Sequence, residues 1–273
     1  MKAMMRLRTV VAVVLSLVAA RSTLSMPMAQ GEARPSRKIE VVLNPPSAKA
    51  ARLGRLNPCV AVTPQGDAVV GNAKGLWIVG GGRARPTGGT ALGCFTFTPE
   101  GLLMGVRGRE LLFLDSHARL EPLFHLPGAG MTLVPGYGDS LLLFGHEDKN
   151  VWGLYTIRPG RKVSLLLRSP APISAAAETA DRTLVVIDGA LFTVGHGAIR
   201  PLAGEPKGKL NALAADPSGK AIFASDGSRI FRMEDGRVTV LANGLGGTLR
   251  WVRGGLLVFD PRKPLLVRLV GVE

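Results

Sequence analysis

The chain repeats itself, and that repetition constrains its fold more than any other feature. Five segments line up, starting at Cys59, Cys94, Met131, Ile173 and Leu210, and a shorter sixth starts at Thr248. Each has the same order of parts. A short apolar strand runs into a turn of Pro, Gly and Asp, such as Pro64-Gln65-Gly66 or Asp216-Pro217-Ser218-Gly219, and a β-branched second strand follows. A third strand comes next, such as Leu76–Val79, Leu111–Leu114, Leu191–Val194 or Ile230–Met233, then a basic turn and a fourth strand. The turn residues Pro64, Pro99 and Pro135 are 35 and 36 positions apart, and Thr179 and Pro217 are 38 apart. The 44-residue step between Pro135 and Thr179 holds the longer turn His146–Asn150.

Turn signals every 8 to 12 residues read as an all-β chain. The 35 glycines and 19 prolines are then sets of tight turns. No stretch from Ser36 to Glu273 sustains helical periodicity, which excludes a helical solenoid. Four strands in a repeat of this length are the signature of a β-propeller blade. The sixth unit ends near Gly271 with three strands. The orphan segment Lys38–Leu43 (KIEVVL) lies ahead of the first unit and reads as a strand. An unpaired sheet edge is a liability, so Ile39–Leu43 is expected beside Leu265–Val270. The expected fold is a six-bladed β-propeller over residues 38–273, its ring closed by an N-terminal strand that completes the last blade.

The fifth unit, LNALAADPSGKAIFASDGSRIFRM, resembles the NHL-repeat propellers and the gluconolactonase and regucalcin group. The resemblance rests on an Asn-x-x-Ala-x-x-Pro-x-Gly strand and turn, an Asp after the second strand and an Ile-x-Arg third strand. It is clearest in this blade, weaker in the first and second, and weakest in the rest. It implies the propeller architecture. In the lactonases it also implies a divalent metal at the channel mouth, held by Glu, Asn and Asp at the starts of the innermost strands. Asn211 falls on the Asn position, and Asn57, at the start of the first unit, is a second candidate contact at the channel mouth. The matching positions Pro58, Gly93, Ala129, Ile173 and Gly247 carry no carboxylate. Oxygen ligands must converge for such a metal to bind, so neither metal nor other cofactor is expected. Asp188, Asp226 and Asp260 recur at the ends of second strands and read as turn residues that bond local N–H groups.

Cys59 and Cys94 occupy equivalent positions in CVAVTP and CFTFTP. They either form a disulfide, if their Cα atoms approach within about 7 Å, or pack as two small buried hydrophobes. A redox or quinoprotein-like role would rest on this pair alone. His146, Glu147 and Asp148 form the densest group of metal-ligating side chains. Adjacent residues on one turn rarely converge on an ion, so the group reads as a solvated loop. His117, His125 and His196 are isolated. Gly80-Gly81-Gly82 lacks the Lys and helix of a phosphate loop, and there is no Gly-x-Ser-x-Gly elbow.

The first 29 residues read as a secretory signal and its cleavage region. Lys2, Arg6 and Arg8 precede the apolar run Val10–Ala20, which is too short to span a bilayer. Residues 30–37 read as a flexible lead-in. The formal charge of +14 becomes +10 without the leader, whose charges are Lys2, Arg6, Arg8 and Arg21. Arg83, Arg85, Arg119, Arg161, Lys162, Arg168, Arg200 and Arg237 fall on fourth strands or the turns before them, and so on the outer rim. Aromatic residues are 5% of the chain, too few for the stacking platforms of nucleic-acid binders. The expectation is an exported, periplasmic or secreted monomer. It would act as a non-catalytic binding or scaffolding module for a protein or envelope component. The alternative is a metal-dependent lactonase or hydrolase.

Overall fold

The computed structural model describes residues 38–272, apart from 88–89, 99, 115–118, 148–149, 159–161 and 196–197. The leader and lead-in lie outside the described residues. Six four-stranded antiparallel sheets make six blades. Blade 1 contains β2 (Leu56–Val62), β3 (Ala68–Asn72), β4 (Gly75–Gly80) and β5 (Arg83–Pro86). Blade 2 contains β6 (Cys94–Phe97), β7 (Leu103–Arg107), β8 (Glu110–Leu114) and β9 (Leu120–His125). Blade 3 contains β10 (Thr132–Pro135), β11 (Leu141–His146), β12 (Trp152–Arg158) and β13 (Lys162–Ser169). Blade 4 contains β14 (Ile173–Glu178), β15 (Thr183–Ile187), β16 (Ala190–Gly195) and β17 (Ala198–Pro201). Blade 5 contains β18 (Ala212–Ala215), β19 (Ile222–Ser225), β20 (Arg229–Glu234) and β21 (Arg237–Asn243). Blade 6 contains β22 (Thr248–Val252), β23 (Gly255–Asp260) and β24 (Leu265–Val270), completed by β1 (Lys38–Leu43).

Closure follows the expected pairing of β1 with β24. Ile39 faces Leu269, Val41 faces Val267 and Leu43 faces Leu266. One departure lies just beyond: Pro45–Ala50 forms a short helix, α1, between β1 and β2. Asn44 caps it by accepting a hydrogen bond from Ser47 N–H at 2.9 Å, and the two prolines sit where no helical N–H is needed. Six residues are too few for a helical period to show in the sequence. Its Ala48 is buried with Leu43, Leu53 and Phe259.

The first three strands of each blade carry the buried surface and the fourth is solvated. β3 and β15 are buried at every position, whereas β17 is exposed at every position. A radially set sheet explains this, because each face of its inner strands is covered by the neighbouring blade. The core is accordingly a ring of inter-blade clusters. Leu184, Leu213 and Phe231 join blades 4 and 5; Phe223, Leu249 and Leu256 join blades 5 and 6; Val70, Leu257 and Phe259 join blades 6 and 1. Full burial of one such side chain contributes about 1.5–3 kcal/mol.

Cys59 and Cys94 are joined by a disulfide, their Cα atoms 5.3 Å apart, which ties the innermost strands of blades 1 and 2. The Leu133 N–H donates to Cys94 Sγ at 3.3 Å and extends the tie to blade 3.

Glu147 corrects the reading of its turn as solvated. It is 6% exposed, and its carboxylate accepts hydrogen bonds from the Tyr155 hydroxyl and from Arg168 Nε, the latter at 3.2 Å. A side chain at Gly153 would overlap Glu147 Oε1 and the Tyr155 ring, so that glycine makes room for the group. Burial, together with the Glu147 carboxylate, pushes the Tyr155 phenol up to about 12.

Two outcomes follow. Cys59→Ser/Cys94→Ser opens a loop whose closure contributes about 4 kcal/mol by chain entropy, so thermal unfolding should shift to clearly lower temperature under non-reducing conditions. Tyr155 is neutral in the fold until about pH 12 but ionises near 10 when unfolded. The Tyr155 contribution to stability should therefore fall as pH rises from about 10 to about 12, against the opposite contribution of Arg250. In Tyr155→Phe that fall should be lost, as followed by thermal melts across this range.

Candidate functional site

Antiparallel order sends each innermost strand down the channel in the same direction. Each blade therefore has first-to-second strand turns at one end of the channel, and second-to-third strand turns with blade-to-blade connections at the other. The residues singled out for the channel mouth lie at the latter end. Asn57 Nδ2 donates to the Leu92 carbonyl at 2.6 Å, which engages it between blades 1 and 2. Asn211 is exposed, and its backbone N–H donates to the Ser225 carbonyl at 2.8 Å. The two belong to blades 1 and 5, with blade 6 between them, and share no hydrogen bond. Pro58 passes its carbonyl to the Thr248 hydroxyl. Gly247 adopts φ +119°, and a Cβ there would overlap the Phe259 carbonyl oxygen, so no ligating side chain fits at that position. The metal implied by the lactonase resemblance would need carboxylates that these residues do not provide. Among the described residues no three His, Cys, Asp or Glu side chains converge.

The recurrent aspartates behave as turn residues in two blades of three. Asp226 Oδ1 accepts from the N–H groups of Ser228 and Arg229 at 2.9 and 2.8 Å. Burial works against the Asp226 carboxylate, but these N–H groups and the Arg229 guanidinium prevail and hold its pKa down at about 2. Asp260 Oδ1 accepts from Arg262 N–H at 3.0 Å, and Asn72 does the same work in blade 1 for Lys74 and Gly75. Asp188 differs. It is the first residue of a two-residue Asp188-Gly189 hairpin with φ +47° and +86°, and it faces Lys209 at 3.7 Å. His146 and His125 are exposed strand ends, His146 lying edge-on to Trp152. Asp148, His117, His196 and Arg161 lie outside the described residues.

The channel cavity lies at the opposite end from the expected mouth. It has a volume of about 400 Å³ and is walled by the ends of β10, β14, β18 and β22. Ala176, Ala177, Leu213, Ala214 and Trp251 make it largely apolar, and Tyr137, Glu178 and Arg250 supply its polar groups. Glu178 Oε2 accepts from the Tyr137 N–H at 2.9 Å and from the Ser140 hydroxyl. Arg250 reaches from blade 6 to blade 1, where Nε and Nη2 donate to the Val60 carbonyl at 3.3 and 3.1 Å. It is 9% exposed. Burial pushes its guanidinium down to about 10, so it stays charged at neutral pH. Sequence reasoning missed Arg250. The signal was a lone arginine inside the apolar strand TLRWV, where the other innermost strands carry aliphatic, aromatic or small residues at their centres.

Charge is sorted by turn type, which the even spread along the sequence conceals. Asp67, Glu100, Asp139, Asp181 and Asp216 put one carboxylate into each first-to-second strand turn of blades 1–5, around the cavity end, with Arg182, Lys220 and Arg253 in the same turns of blades 4–6. At the other end, Arg52, Arg55, Lys74, Lys207, Lys209, Arg262 and Lys263 are exposed on second-to-third strand turns and inter-blade connections, from the junction of blades 4 and 5 round to blade 1. The acids at that end are largely engaged. Asp226 pairs with Arg229 at 2.7 Å, Glu147 with Arg168 at 3.2 Å, and Glu205 accepts from the Leu191 N–H at 2.7 Å. Outer-strand cations such as Arg83, Arg85, Lys162, Arg200 and Arg237 form a separate rim, with Arg119 just ahead of β9.

No family model matches this sequence, and no curated protein matches it. Solved structures do match it in shape. A structural-genomics protein described as a gluconolactonase superposes with TM-score 0.66 at 13% identity, over 86% of this chain and 92% of its own. A gluconolactonase from Xanthomonas campestris superposes with TM-score 0.62 at 13% identity, over 79% of this chain and 86% of its own. The extracellular domain of a hybrid two-component system from B. thetaiotaomicron gives TM-score 0.53 at 18% identity, over 77% of this chain and 33% of its own. At these identities the likeness is one of fold: the chain has the six-bladed propeller architecture of the gluconolactonase-like proteins.

Proposed function

We propose that this chain is an exported binding module of the cell envelope, and that it engages an anionic envelope component through the basic half-ring around Arg52, Arg55, Lys207 and Lys209. The observation that carries this reading is the sorting of charge. A propeller with an excess of cations at one end of its channel, of which Lys209 and Lys263 pair with Asp188 and Asp260, presents a field that attracts polyanions and acidic partners. The N-terminal leader pattern supports export, and the likeness to an extracellular propeller domain is consistent with it. The likeness to gluconolactonases favours a second reading, lactone hydrolysis with a divalent metal. The residue types at the innermost-strand starts argue against it.

The test is capture of the solubilised envelope fraction on the purified protein at low and high salt. Capture should fall steeply as salt shortens the screening length below about 8 Å. It should fall about tenfold in R52E/R55E/K207E/K209E, whose charge change reverses the local field. Capture equal to that of the unmodified protein would overturn the assignment of this face. Fractionation of cells making the full chain should place a shortened form outside the cytoplasm, and retention of the uncut chain inside would overturn export. Lactone turnover that requires added divalent ions would replace the binding reading with the enzymatic one.

A further inference from the structure

Glu147 and Arg250 are the two charged side chains that the fold buries among the described residues. Glu147 is explained by its pairing with Arg168. Arg250 is not paired: no described carboxylate lies within ion-pair distance of it, and its hydrogen bonds go to the neutral Val60 carbonyl. Taking a guanidinium out of water without a counter-charge costs several kcal/mol, and the same wall position could have held a methionine. Arg250 lines a cavity of about 400 Å³, within the range of sites that hold small molecules. Two donors of the guanidinium, Nε–H and one Nη2–H, are used on Val60, and a carboxylate is the group whose geometry suits the rest.

The surroundings restrict what else the occupant carries. Glu178 lines the same cavity. Its Oε2 is occupied by Tyr137 and Ser140, whereas its Oε1 receives no hydrogen bond from the described residues. The turns at this end of blades 3–6 carry both signs, Asp139, Asp181 and Asp216 alongside Arg182, Lys220 and Arg253. A simple anion would meet the Glu178 carboxylate, and a simple cation would end beside Arg250. A molecule carrying both charges meets neither obstacle. The wall between them is apolar, with Ala176, Leu213, Ala214 and Trp251, the last stacked on Phe223 with centroids 5.2 Å apart.

We propose that the channel cavity binds a small zwitterion, an apolar amino acid or short apolar peptide, with its carboxylate on Arg250, its ammonium group on Glu178 and its apolar body against Leu213 and Trp251. This site is at the opposite end of the channel from the basic half-ring and stands independently of it.

The experiment is calorimetric titration of the purified protein with L-leucine and L-leucyl-L-leucine. 4-Methylpentanoate and isopentylamine serve as the two single-charge analogues. One of the zwitterions should bind, and which one does reports the spacing of the two charged groups. Both single-charge analogues should bind at least about tenfold more weakly, as expected for loss of a charge-assisted hydrogen bond. Arg250→Met should lose at least about tenfold in affinity while melting at the same temperature or higher without ligand, since it relieves an unpaired buried charge. Glu178→Gln should weaken the zwitterion and leave 4-methylpentanoate unaffected. No binding of either zwitterion would overturn the proposal, as would single-charge analogues that bind equally well or an R250M protein that binds like the unmodified one. If R250M does not fold, the selectivity of the unmodified protein and E178Q decides the matter.

Discussion

A blade of four short strands cannot bury both of its faces, and every other feature of this molecule answers to that fact. The inner strands are apolar on both sides, so each sheet needs a neighbour on either hand, and only a closed ring gives every sheet two. The pairing of β1 with β24 is the contact on which the ring depends. It brings residues 38–43 against the last strand of the chain and buries Leu43 with Phe259 and Leu266. It also removes the edge of β24, which would otherwise offer unpaired backbone groups to a second molecule. The disulfide between the first two innermost strands and the helix beside the closure reinforce the same side of the ring.

The polar groups that the ring buries are of two kinds. The buried Glu147 and Tyr155 form a closed set in blade 3 with the exposed Arg168, with a glycine at position 153 to leave room for it, and they read as structure. Arg250 is open: among the described residues its partner is the Val60 backbone carbonyl, and it borders a cavity. Satisfied buried networks rigidify a fold, whereas a buried charge without a counter-charge is expensive. The distinction separates a side chain kept for stability from one kept for contact with something that the chain does not contain.

Much of the architecture was legible because turns and alternation are local. Asp188-Gly189 and the Pro-Gly turns announce hairpins through their backbone demands, and strand after strand between them has the length and apolar content that a blade requires. Even the closure could be reasoned out, since a three-stranded sixth unit and an orphan strand complement each other. Glu147 was misjudged because its neighbours His146 and Lys149 are polar and its partners lie eight and twenty-one residues further on. The short helix at Pro45–Ala50 was missed because its cap, not its periodicity, defines it.

The site was far less legible. Asn57 and Asn211 were plausible channel contacts by position, yet they lie at the end of the channel away from the cavity. Arg250 needed its place beside β2, 190 residues back along the chain, before its isolation could be seen. Charge behaved in the same way. Read along the chain, acids and bases are mixed, but chain reversal at each turn delivers successive turns to alternate ends of the channel and leaves one end with an excess of bases. The blade count, the strands and the manner of closure could be read along the chain, because each is set by local backbone preference and by the need to hide apolar faces. Whether the two cysteines bridge, which carboxylate is buried, where Arg250 meets a cavity and which face is basic became visible in the folded ring alone. Those properties depend on distances between residues that the ring, and not the chain, brings together.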